Sequence, residues 1–166
     1  MKTMKTSRNQ IRPAQVYERK ESYLPHEVLD FLPNPSDYPK GYKLKTIKKD
    51  YDGDLMKMGS ERYYTFAKSL KCAFCDLEGS IFYKERGLGK NGQPQDCGFH
   101  FNLYAVNENG EEVMMTKDHI VAKSRGGKDS LKNYISACKS CNEEKRSMDF
   151  EAFKKLKEDQ KKLKSL

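Results

Sequence analysis

Apolar residues recur along this chain at two different intervals, and the change of interval marks its elements. Tyr63, Phe66, Ala67 and Leu70 follow Ser60 at helical spacing, which predicts a short amphipathic helix ending before Cys72. That stripe reads as core packing. Phe99, Phe101, Leu103 and Ala105 instead alternate with polar positions. Asn107-Glu108-Asn109-Gly110 makes a turn, and a second run follows over about Glu112–Val121, so the segment predicts a β-hairpin. The stretch 80–85 (SIFYKE) predicts a strand before it, and 131–136 (LKNYIS) a short return strand or turn. Ser140 with Glu143 three residues later has the form of a capping box, which starts a helix with Asn142 on its first turn. Ser147 or Asp149 caps a last helix whose apolar side is Phe150, Phe153, Leu156 and Leu163.

The first 58 residues lack either rhythm. Pro13, Pro25, Pro33, Pro35 and Pro39 are interleaved with Tyr17, Tyr23, Tyr38 and Tyr42, a density that forbids a long helix or central strand. The expectation is an extended arm with one helical turn near His26–Phe31. The chain then divides into this arm (1–58), a folded domain (59–150) and a charged C-terminal helix (151–166).

Composition narrows the class. At 166 residues, with 34% charged and a mean hydropathy of −0.93, the chain supports one domain with a modest core and a wet surface. Its net charge of +8 favours a polyanionic partner. The excess is uneven: +4 over residues 1–60, −2 over 61–116 and +6 over 117–166. No apolar run approaches the roughly 20 residues that cross a bilayer, and the N-terminus lacks the apolar stretch of a secretory signal. A cytoplasmic setting is the expectation, where paired cysteines hold metal more often than they form disulfides.

Cys72-x-x-Cys75 and Cys138-x-x-Cys141 lie 62 residues apart. A two-residue spacer lets one turn offer two thiolates to one ion, and two such pairs make the tetrahedral sulfur shell of structural zinc. A closed shell has no open position, so this metal stabilises and does not catalyse. Cys97 with His100 forms a further Cys-x-x-His, read as a spare thiol beside a strand.

Between the pairs sits a second kind of chemistry. Asp118 and His119 fall at the end of the second hairpin strand, with Asn133 and Asn142 following. Imidazole titrates near pH 6.5 and can take a proton from water. One carboxylate and one amide oxygen, from Asp118 and Asn142, suit a hard ion such as Mg²⁺ or Mn²⁺ better than zinc. Adjacent strand residues point to opposite faces, so one can hold the ion while His119 faces water. Lys123, Arg125 and Lys128 beside Gly126-Gly127, and Lys145 and Arg146 one turn from Asn142, are candidates for DNA phosphate contacts.

The run DHIVAKSRGG…LKNYISACKSCNEEK resembles the HNH endonuclease motif in its four-cysteine form, over about residues 60–150. LYAVNENGEEVMMTKDHI is similar to small phage and bacterial members. The resemblance implies an α+β fold with a ββα-metal core, His119 as general base, Asp118 and Asn142 on the catalytic ion, and Asn133 fixing the loop that aims His119. Asn142 stands where the family name has its third histidine. Ala122 stands where many members have proline.

The reading is a DNA endonuclease of phage, mobile-element or defence type. Two rivals stand beside it: a zinc-stabilised nucleic-acid-binding module without catalysis, and a nuclease subunit active only in a larger complex. Homodimer and nucleoprotein assembly are both left open.

Overall fold

The computed structural model describes residues 16–89, 91–94 and 98–166. The expectation for Cys97 lies outside them. The centre of the molecule is a five-stranded antiparallel sheet of β1 (Tyr17–Tyr23), β4 (Ile81–Gly87), β5 (His100–Val106), β6 (Glu112–His119) and β7 (Tyr134–Cys138), in that spatial order. The hairpin read from alternation is β5–β6, paired from Tyr104↔Met114 to Val106↔Glu112. β6 and β7 pair from Met115↔Cys138 to His119↔Tyr134, which sets the downstream cysteine pair at the end of the edge strand β7, beside the middle of β6. The fold is mixed α+β, as the sequence predicts.

Helix α2 (Glu61–Lys68) lies on one face and buries Tyr63 and Phe66 against Phe82 and Phe101. Ser60 occupies its N-cap through its backbone carbonyl, with no side-chain hydrogen bond. Helix α3 (Lys139–Lys145) starts two residues earlier than the Ser140–Glu143 pattern implies. Its N-cap is Cys138, whose sulfur accepts the Cys141 N–H at 3.4 Å. Asp149 caps α4 (Phe150–Lys164) by accepting from the Ala152 N–H. The first turns of α4 are anchored through Phe150 and Phe153 against Phe74, and further along Lys157 pairs with Glu144 and Lys161 with Asp76. Among the described residues no helix is long and apolar enough to cross a membrane.

Residues 16–58 are not an extended arm. They contribute the edge strand β1, helix α1 (Pro25–Leu29) and a hairpin of β2 (Lys48–Tyr51) and β3 (Asp54–Lys57). Val28, Tyr51, Met56 and Met58 from this stretch are core residues. Proline is accommodated because Pro25 sits in the first turn of α1, where no N–H is needed, and Pro35 opens a 3₁₀ turn. The β2–β3 turn is Asp52-Gly53 with φ of 53° and 94°, the left-handed pair that suits a two-residue hairpin. Charge fastens the layer in place. The ammonium of Lys84 on β4 is fully buried, 2.7 Å from Glu21 of β1, 2.8 Å from Asp54 of β3 and 2.7 Å from the Tyr51 carbonyl.

Candidate active site

Four sulfurs come together where β7 meets α3. Cys72, Cys75, Cys138 and Cys141 all place Sγ within 4.8 Å of one another, and Cys75 lies 3.7 Å from Cys138. That separation fits the edge of a tetrahedron with metal–sulfur bonds of about 2.3 Å. None of the four forms a disulfide. Backbone N–H groups of Phe74 and Cys141 donate to Cys72 and Cys138, each at 3.4 Å, the support that orients thiolate ligands. Crowding perturbs the thiols in opposite senses: Cys72 is driven down and Cys141 up, each mainly by its contact with Cys138. The donor set fits a metal ion closed off from substrate. The cluster also ties distant segments together. Ala73 N–H donates to the Ser136 carbonyl at 2.9 Å, and Ser136 Oγ donates to the Ser69 carbonyl at 2.6 Å.

Asp118 and His119 leave β6 on opposite faces. Asp118 is buried at 7% exposure and turns toward α3, while His119 stays part-exposed and sets its ring edge-on to Tyr134 at 5.1 Å. Asp118 Oδ1 accepts the His119 N–H at 2.8 Å, but Oδ2 is buried without a hydrogen bond. The ammonium of Lys145 lies 3.3 Å from that oxygen, close enough for ion pairing but not aligned to donate. On α3, Asn142 Nδ2 donates to Thr116 Oγ1 at 2.8 Å. The Thr116 hydroxyl is itself committed to the Ala137 carbonyl, so it can only accept from Asn142. The amide oxygen of Asn142 is therefore the atom left over. An orphaned carboxylate oxygen and a spare amide oxygen on facing elements form a donor set that fits a hard divalent ion.

His119 has a partner that its sequence neighbours do not announce. Nε2 lies 2.8 Å from Asp129 Oδ1, and Lys123 lies 2.6 Å from Asp129 Oδ2. Contact first with Lys123 and then with His119 pushes the Asp129 carboxyl down to about 2, so it is ionised across the working range. An ionised carboxylate only accepts, which puts the proton on Nε2 and leaves the lone pair on Nδ1.

The loop carrying Asp129 is fastened, not flexible as its glycines suggest. Asn133 Oδ1 accepts the Val121 N–H at 2.9 Å, and its Nδ2 donates to the carbonyls of Val121 at 3.0 Å and Lys128 at 2.9 Å. Gly127 passes so close to the Val121 carbonyl that a Cβ there would lie 1.7 Å from the oxygen. Only glycine permits this approach.

Of the five basic candidates, four are exposed: Lys123, Arg125, Lys128 and Arg146. Lys145 is not a phosphate contact. It is 1% exposed, and its ammonium lies 3.3 Å from both Asp118 Oδ2 and the His119 carbonyl. The spacing that suggested it explains the error, because a residue one turn from Asn142 shares its inward face. Lys145→Met strands the Asp118 carboxylate in a buried site and lowers stability by roughly 3–5 kcal/mol. Urea unfolding without divalent ions reads this loss, and added Mg²⁺ restores part of it. An unchanged midpoint would show that the pair is energetically neutral.

With this geometry in hand, comparison with known proteins gives one match. Residues 95–147 match the model of the HNH endonuclease family. No curated protein and no solved structure matches the chain. The matched segment contains β5, β6, β7 and α3, and with them Asp118, His119, Asn133, Asn142 and the downstream cysteine pair. An HNH endonuclease segment implies nuclease-type function and a nucleic-acid substrate.

Proposed function

We propose that the chain hydrolyses phosphodiester bonds of DNA, with His119 as general base. The observation that carries this reading is the Asp129 contact, which holds the proton on Nε2 and offers Nδ1 to water. Nδ1 takes a proton from the attacking water, and Asp129 balances the imidazolium that results. Asn133 keeps the loop closed, so Asp129 and the ring stay in register. Asp118 and Asn142 would hold the divalent ion, Mg²⁺ or Mn²⁺ by the hardness of their oxygens. When bound, that ion neutralises charge on the phosphoryl oxygens and at the leaving 3′ oxygen. Lys145 compensates Asp118 from behind and fixes α3 against β6. Lys123, Arg125, Lys128 and Arg146 are proposed backbone-phosphate contacts. The four cysteines are proposed to hold structural zinc. A phage, mobile-element or defence setting rests on sequence resemblance alone.

One observation favours the non-catalytic rival: the Lys145 ammonium already sits beside the carboxylate that an ion would need. Incubation with supercoiled plasmid in Mg²⁺, Mn²⁺, Ni²⁺, Zn²⁺ or no added ion separates the readings. Nicking with Mg²⁺ or Mn²⁺ and none without is expected. Asn142→Ala raises the ion concentration for half-maximal activity by about tenfold or more. No cleavage with any ion would overturn the proposal.

A further inference from the structure

A second basic surface is built mostly from residues outside the family-matched segment. The β2–β3 hairpin, the start of α2 and the start of β5 enclose an open groove of about 620 Å³. Its lining includes Lys45, Lys48, Lys57, Arg62 and Lys117 against a single carboxylate, Glu61. Glu61 is already engaged by Lys117 at 3.1 Å. Lys48 and Lys57 are directly opposite each other across the hairpin, so both ammonium groups project from one face. Like charges paired this way destabilise a hairpin. Neither has a carboxylate partner among the described residues, and Lys45 feels Glu61 only at a distance. Asp50, on the same face, accepts from the Gly53 N–H at the turn. Between these cations Leu55 stands 64% exposed, an apolar side chain held out beside a charged rim.

The groove is continuous with the active site. Lys117 and His119 are alternate residues of β6 and share a face. The Lys117 ammonium lies over the Tyr134 ring at 3.8 Å, and the His119 ring meets the same tyrosine at 5.1 Å. One aromatic ring therefore separates the groove from the candidate base.

We propose that this groove is a second DNA subsite, taking the strand that runs on from the cut site. Its phosphates rest on Lys45, Lys48 and Lys57, and Leu55 packs against a sugar. The inference rests on the nuclease reading for its substrate. Its chemistry is charge complementarity: Lys48 and Lys57, without a carboxylate partner among the described residues and kept opposite each other at a cost in hairpin stability, match a polyanion. The contacts are to the backbone, so they position the strand without reading its sequence.

The test is the salt dependence of binding to a labelled DNA duplex, measured in a His119→Ala background without added divalent ion so that cleavage does not interfere. Lys48→Gln with Lys57→Gln removes two phosphate contacts. The slope of log affinity against log salt should become shallower by roughly 1.4–1.8, with weaker binding at low salt. The thermal midpoint should hold or rise, because a repulsive pair has been neutralised. That combination excludes misfolding as the cause. In the catalytically intact chain the same pair should raise KM with kcat retained. Unchanged affinity and slope would overturn the subsite. Failure of the nuclease reading is distinct: no variant would cut, while the binding comparison would still report on the groove.

Discussion

His119→Ala lowers the rate of plasmid cleavage by about 10²–10⁴-fold and leaves the thermal midpoint and DNA affinity at wild-type values. The size follows from removing the imidazole on the exposed side of β6 that the proposal makes the proton acceptor. The specificity follows from where the ring sits. It is part-exposed and touches Asp129 and the edge of Tyr134, so its loss opens no core cavity. Lys123 continues to balance Asp129 when the imidazole is gone. Single-turnover cleavage alongside thermal unfolding checks both halves. A variant that cuts at the wild-type rate removes His119 from the chemistry. The pH–rate profile adds a second reading. The folded-state value of Asp129 is depressed to about 2, so its pairing is present above the ordinary carboxylate range and lost only as pH falls through that value. Loss of the Asp129 partner is therefore not the source of any fall in rate above that value.

Cys138→Ser, or stripping of the proposed zinc by a strong chelator, is expected to cost an amount comparable with the whole stability of the domain. Structural zinc contributes apparent free energies of about 10–16 kcal/mol in small finger peptides, against roughly 5–15 kcal/mol for an entire domain. Cys138 is the most exposed to this arithmetic because it does three things at once. It ends β7, caps α3 and faces Cys75 at 3.7 Å. Loss of its thiolate unties the upstream knuckle from the sheet and frees α3, which carries Asn142 and Lys145. A drop in the melting midpoint of roughly 10 °C or more is expected, with metal analysis giving one zinc per folded chain. A metal-free protein with an unaltered transition would refute the structural role.

Elements with a strong apolar rhythm were legible in the residues alone. The β5–β6 hairpin and α2 followed from spacing, the helix at the second cysteine pair from a capping pattern, and the fold class from the family resemblance, and the four thiols met as their spacing required. Residues 16–58 were not legible, for a physical reason. β1 reads YERKESY, and it pairs with β4 largely through charge: Glu18 with Arg86, and Arg19 with Glu85. Hydrophobic alternation cannot find a strand stabilised that way. The signal that would have found the neighbouring hairpin was Asp52-Gly53, a turn pair that lies beyond the proline-rich stretch ending at Pro39. Lys84 and Lys145 carried a related lesson, since each is a buried cation whose partners lie in distant segments. Asp129 depended on the fold of the 120–133 loop, and no spacing rule joins it to His119.

The sulfur cluster has a consequence for heredity. Half of its ligands, Cys72 and Cys75, belong to a stretch that the HNH match at 95–147 does not reach. A recombination event that carried the matched stretch alone into another gene would deliver two thiols with no counterpart. The proposed cutting centre and its anchor would have to travel as one genetic unit.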